Sequence, residues 1–145
     1  MKKLIITLGI VVVALSGTLF YRNTLREREI VILSTNDMHA STANFARLAT
    51  AVALCRDTVA TILTDAGDRW TGNAFVDLAE GRRPILDLMN TVGYDVVTLG
   101  NHEFDKGTAA LSTMVNGSKF EWLCANADSN IEGLSFEPNK IVNVA

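Results

Sequence analysis

The sequence predicts an α/β fold built on a mostly parallel sheet, and three observations carry that expectation. Short β-branched runs alternate with segments of helical spacing, in the order βαβαβαβ. The first run is nearly continuous in its apolar character, as a strand buried on both faces would be. Each of the first three runs leads at once into a polar cluster, at the edge where a parallel sheet gathers its ligand-binding loops.

Taken in order, Ile30 to Thr35 ("IVILST") reads as the first strand. Phe45 to Cys55 follows, with Phe45, Leu48, Ala49, Val52 and Cys55 three or four apart, which is helical spacing. Val59 to Leu63 is the second strand. Phe75 to Val92 forms one or two helical segments broken around Gly81 and Pro84, because proline sits well as an early helix residue. Asp95 to Leu99 is the third strand, Thr108 to Val115 a helix ending at Asn116-Gly117, and Phe120 to Ala125 the fourth strand. Such an order implies right-handed crossovers between parallel neighbours.

A chain of 145 residues fits one domain with a real core, and 48% hydrophobic with 20% charged residues is ordinary for a globular protein. Net charge is −3, and the body carries no Lys/Arg run, which argues against binding a nucleic-acid polymer. The first 21 residues stand apart. Lys2 and Lys3 precede a 12-residue uncharged run, Leu4 to Leu15, and small residues follow at 16–18. That is the layout of a secretory signal peptide. The 18 uncharged residues from Leu4 to Tyr21 are also just enough for a membrane anchor. Both readings export the body, residues 30–145, to a periplasmic or extracellular location, with membrane attachment through 4–21 in the second. Cys55 and Cys124 could pair in an oxidising compartment, but both lie in contexts suited to free, buried thiols, the favoured reading.

The polar clusters are Asn36-Asp37-Met38-His39, Asp65-Ala66-Gly67-Asp68 and Gly100-Asn101-His102-Glu103. Asp37, Asp68 and Asn101 are 31 and 33 residues apart, about one strand-helix unit each, so the clusters are expected to meet in space. Singly, each has an ordinary explanation: solvated loop residues at Asp37 and His39, a turn or helix N-cap at Asp68, a cap at Asp105. Together they fall on one edge of one sheet. Carboxylate, imidazole and carboxamide oxygen make a thiolate-free N/O set suited to Zn, Mn, Fe or Mg. Asp68, central among the clusters, is the natural bridge between two ions.

"TNDMH", "DAGDRWTGN" and "LGNHEFDKG" resemble the first three motifs of the calcineurin-like metallophosphoesterases, specifically their 5′-nucleotidase branch. "CANAD" is similar to a further family segment, and the likeness covers Ile30 to Asp128. The resemblance implies two divalent metal ions, with Asp37 and His39 on the first, Asp68 bridging, and Asn101 on the second. It implies that His102, oriented by Asp105, faces the phosphoryl group of a nucleotide or other phosphate monoester. Glu103 is expected to point away, toward Arg69 or a loop amide, and Trp70 to be a packing residue.

The resemblance also implies a four-layer αββα sandwich and further metal-ligating histidines, yet no histidine follows His102. The chain is therefore expected to be about half of that sandwich, with one apolar sheet face uncovered, and inactive alone. A non-catalytic exported remnant, or a same-fold hydrolase of a cyclic nucleotide or sulfur compound, remain the alternatives.

Overall fold

The computed structural model describes residues 13–17, 21, 28–80, 83–126, 134 and 136–144. The leader read at 1–21 lies mostly outside them, only 13–17 and 21 being described, and the last two residues of "CANAD" lie outside as well. No helix among the described residues is long and apolar enough to cross a membrane.

Four strands form one parallel sheet in the order β1-β2-β3-β4: β1 Ile30–Thr35, β2 Ala60–Asp65, β3 Val96–Thr98 and β4 Glu121–Leu123. Between them run α1 (Phe45–Arg56), the one-turn α2 (Ala74–Asp77), α3 (Arg83–Val92) and α4 (Gly107–Gly117). The expected αβ alternation is present. β2 runs two residues beyond the expected end, because Thr64 and Asp65 continue its pairing with β1 despite their polarity. Pro84 is the second residue of α3, where its missing N–H costs no helical hydrogen bond.

A sheet whose strands follow one another in sequence order, with crossovers of one hand, places every helix on the same face. That is how the core is built. Leu63, Val97 and Trp122 on the inner face join Val52 of α1, Ile85, Leu86, Met89 and Val92 of α3, and Leu111 and Met114 of α4. The outer face keeps apolar residues in view, with Ile30 49% and Ile32 67% exposed, so β1 is not buried on both faces as its apolar run suggested; the expected uncovered sheet face lies here. Thr64, Val96, Thr98, Leu123 and Pro138 line a hollow on the sheet. Both cysteines are free, but only Cys124 is buried; Cys55 is half-buried, because it lies at the margin of the inward stripe of α1.

Polar residues also enter the core. Thr35 Oγ1 is 2.6 Å from Asp65 Oδ2 and 2.9 Å from the Tyr94 hydroxyl. Burial pushes the Tyr94 phenol up to about 12. A raised pKa favours the neutral phenol in the folded state, so stability is intact below about pH 10 and declines as pH rises from there toward 12. Urea unfolding of Tyr94→Phe is expected to show a shallower loss across pH 10–12 than the parent chain. An identical loss in both would show that Tyr94 is not its source.

Candidate functional site

The loops after β1, β2 and β3 meet at one sheet edge, as their spacing predicts, and main-chain hydrogen bonds join them. The amides of Asp37, His39 and Ala40 donate to the carbonyls of Gly67, Asp68 and Arg69, at 3.1, 3.0 and 2.8 Å. The His102 amide donates to Asp68 Oδ1 at 2.8 Å, and Trp70 Nε1 donates to the His102 carbonyl at 3.0 Å. Asn73, whose role the sequence did not reveal, caps α2 and also donates to the Ala40 carbonyl.

Backbone strain collects in the first two loops. Asp37, His39, Ala40, Asp68 and Thr71 all have left-handed φ values, between 44° and 73°. Such conformations cost on the order of 1 kcal/mol or more for a non-glycine residue, most for a β-branched one such as Thr71. They persist where hydrogen bonds over-determine the backbone. Three of the four residues expected to bind metal are among the five.

The donor chemistry at His39 is specific. A carbonyl oxygen can only accept, so the 3.1 Å contact between His39 Nδ1 and the Thr71 carbonyl makes Nδ1 the protonated nitrogen. In the neutral ring, Nε2 then presents a lone pair 3.8 Å from Asp37 Oδ1, another acceptor. Two acceptors directed at one region suit a cation between them, and a carbonyl behind the imidazole is the usual support of a metal-binding histidine. The other Asp37 oxygen is held by Asn36 Nδ2. Asp68 commits Oδ1 to the His102 amide, which leaves Oδ2 without a hydrogen bond among the described residues. Asn101 is exposed, and its side chain makes no capping bond to the 3-10 turn His102–Phe104. The donor types fit a divalent ion. Among the described residues, no three His, Cys, Asp or Glu side chains converge closely enough to hold one by themselves.

His102 and Asp105 form the expected pair, with Nδ1 2.8 Å from Oδ2. The hydrogen bond to Asp105, then the charges of Asp105, Asp68 and Glu103, raise the imidazole pKa above its ordinary value, against a partial desolvation. Asp105 does not cap α4, whose N-cap is Lys106 without a side-chain bond. The His39 and His102 rings meet edge to face, their centroids 5.0 Å apart, so the imidazoles of two loops are in contact.

Beneath these groups lies a buried polar layer. Asp65 Oδ1 accepts from Arg69 Nε at 2.8 Å and from the Gly67 amide at 3.1 Å. Arg69 is fully buried over the Trp70 and Trp122 rings, 5.2 and 4.6 Å from their centroids. Trp70 is fully buried and packs, as expected. Glu103, 2% exposed, accepts from the amides of Asp68 (3.0 Å), Arg69 (3.2 Å) and Gly100. Of the two partners expected for Glu103, it takes loop amides and not the Arg69 guanidinium.

No family model matches the chain. Among curated proteins, the trifunctional nucleotide phosphoesterase of Bacillus subtilis is 40% identical over 91 residues, covering 62% of this chain and 6% of that protein. A snake venom 5′-nucleotidase of Gloydius brevicauda is 35% identical over 140 residues, covering 80% of this chain and 24% of the relative. Among solved structures, a 5′-nucleotidase precursor from Thermus thermophilus superposes with a TM-score of 0.68 at 26% identity, over 78% of this chain and 26% of that one. The chain spans no more than about a quarter of the length of these relatives.

Proposed function

This chain belongs to the 5′-nucleotidase family of calcineurin-like phosphoesterases, matching the amino-terminal part of its relatives, and from that we propose that it carries the first share of a two-metal phosphoesterase site. The observation that supports this best is the Asp37–His39 acceptor pair, set beside Asp68 and the His102–Asp105 pair by hydrogen bonds between loops. Asp37 and His39 would hold a first divalent ion, Asp68 would share it with a second, and Asn101 would join the second. When bound, such ions polarise a phosphoryl oxygen and acidify a water.

The chain's own residues then have separable tasks. The Thr71 carbonyl fixes the His39 tautomer, so that Nε2 is the binding atom. Asp105 orients the His102 imidazole through Nδ1 and favours its doubly protonated form, in which Nε2–H would donate to a phosphoryl or leaving oxygen. The substrate class is a nucleotide or other phosphate monoester. The leader read at 1–21 would place this site in an exported protein, with 30–145 as its phosphoesterase portion.

Full chain is expected to bind inorganic phosphate only in the presence of Mn²⁺, followed by the broadening of the ³¹P resonance. His102→Ala should weaken that phosphate binding about ten-fold, the scale of one charge-assisted hydrogen bond, with Mn²⁺ uptake unchanged. Phosphate binding indifferent to both Mn²⁺ and His102 would favour the non-catalytic remnant. The chain alone is not expected to hydrolyse AMP or p-nitrophenyl phosphate.

A further inference from the structure

We propose that Glu103 is a positioning residue, a buried carboxylate that fixes the loop carrying Asp68 against the loop carrying Asn101 and His102. The proposal rests on the reading of Asp68 and Asn101 as metal ligands. Glu103 Oε2 accepts from the amides of Asp68 and Gly100, and Oε1 from that of Arg69, so one side chain holds both loops. Asp68 returns the link, its Oδ1 accepting from the His102 amide. The circuit from Glu103 to Asp68 and back to His102 sets which Asp68 oxygen is consumed and which is left for a ligand.

The fold does not need this carboxylate as an ion-pair partner. The adjacent guanidinium of Arg69 goes to Asp65 and the Thr98 carbonyl. Among the described residues Glu103 has no cationic partner, so its charge is met by main-chain amides alone. That leaves a negative charge one hydrogen bond from Asp68, which adds to the attraction for a cation there.

Glutamine matches glutamate in shape but cannot replace it. Either orientation of its carboxamide turns an NH₂ toward an amide N–H, donor against donor, at Asp68 and Gly100 or at Arg69. Aspartate keeps the charge but is one methylene short of bridging both loops. Supporting partners of this kind typically alter metal affinity about ten-fold to a hundred-fold.

The test combines amide hydrogen exchange with Mn²⁺ titration, the latter read by the electron paramagnetic resonance of free Mn²⁺, on the full chain. In the parent chain without metal, the amides of Asp68, Arg69 and Gly100 are expected to exchange slowly. In Glu103→Gln these and the His102 amide should lose protection while α1 and α3 keep theirs, and the Mn²⁺ dissociation constant should rise about ten-fold or more. Glu103→Asp is expected to fall between the two, and serves if the glutamine variant does not fold. Unprotected amides in the parent chain, or Mn²⁺ affinity unchanged in a folded variant, would overturn the proposal. A parent chain that takes up no Mn²⁺ would end the metal reading. The proposal would then stand or fall on whether the variant releases the protected amides.

Discussion

Arg69→Ala is expected to destabilise the chain by about 3–5 kcal/mol, the usual consequence of removing one member of a buried ion pair. Both partners are fully enclosed: the side chains of Arg69 and Asp65 each have 0% exposure, and Nε lies 2.8 Å from Oδ1. Truncation would leave the Asp65 carboxylate without its cation, strip the Thr98 carbonyl of a donor, and open a void beside the Trp70 and Trp122 rings. Arg69 Nη1 has no hydrogen-bond partner among the described residues, so the aromatic rings are its remaining compensation. Against a typical total stability of about 5–15 kcal/mol, this loss would leave a marginal fold. Urea unfolding should register it as a large drop in midpoint. A midpoint within experimental error of the parent would show that the pair contributes nothing net.

Gly100→Ala is the second large effect, and it acts on the site directly. A Cβ at Gly100 would stand 2.3 Å from Asp68 Oδ1, 2.6 Å from its Cγ and 2.7 Å from its amide nitrogen. The carboxylate could rotate away, but the amide nitrogen is backbone and cannot. Relief therefore requires the two loops to separate, which breaks the Asp68 link to the His102 amide. The facing Gly67 is equally constrained, since its φ is +106° and a Cβ there would meet the Gly100 nitrogen at 2.5 Å. Overpacking of this kind costs about 1–3 kcal/mol. Because the strain is borne by Asp68, Mn²⁺ binding in Gly100→Ala is expected to fall more than ten-fold even where the protein stays folded. A folded variant with parent-like Mn²⁺ affinity would contradict the geometry described here.

The sequence already contained most of the fold because hydrophobic periodicity marks elements that bury one face. Leu63, Val97 and Trp122 turn inward together, and α1 carries the expected apolar stripe. Periodicity is silent on buried polar pairs. Asp65 occupies an inward position of β2 that composition would assign to an apolar residue, and Arg69, four residues on, is what makes it tolerable. The polar clusters were legible as a candidate site because their spacing placed them at one sheet edge. The division of labour within them was not. Glu103 takes three main-chain amides, and Thr71 orients His39 through its carbonyl; backbone partners leave no trace in side-chain identity. The left-handed conformations of Asp37, His39 and Asp68 are equally silent, since these residue types tolerate that region without requiring it.

As proposed above, the loops after β1, β2 and β3 form a donor set for a divalent cation. Substoichiometric Mn²⁺ added to the ¹⁵N-labelled full chain tests it most directly, because the ion broadens the amide resonances nearest to it. Broadening is expected to concentrate at residues 36–40, 67–71 and 100–105, to be abolished in Asp37→Asn and to be unaffected by Asp87→Asn on the exposed face of α3. Broadening spread over the acidic surface at large, or centred elsewhere on the sheet, would contradict it.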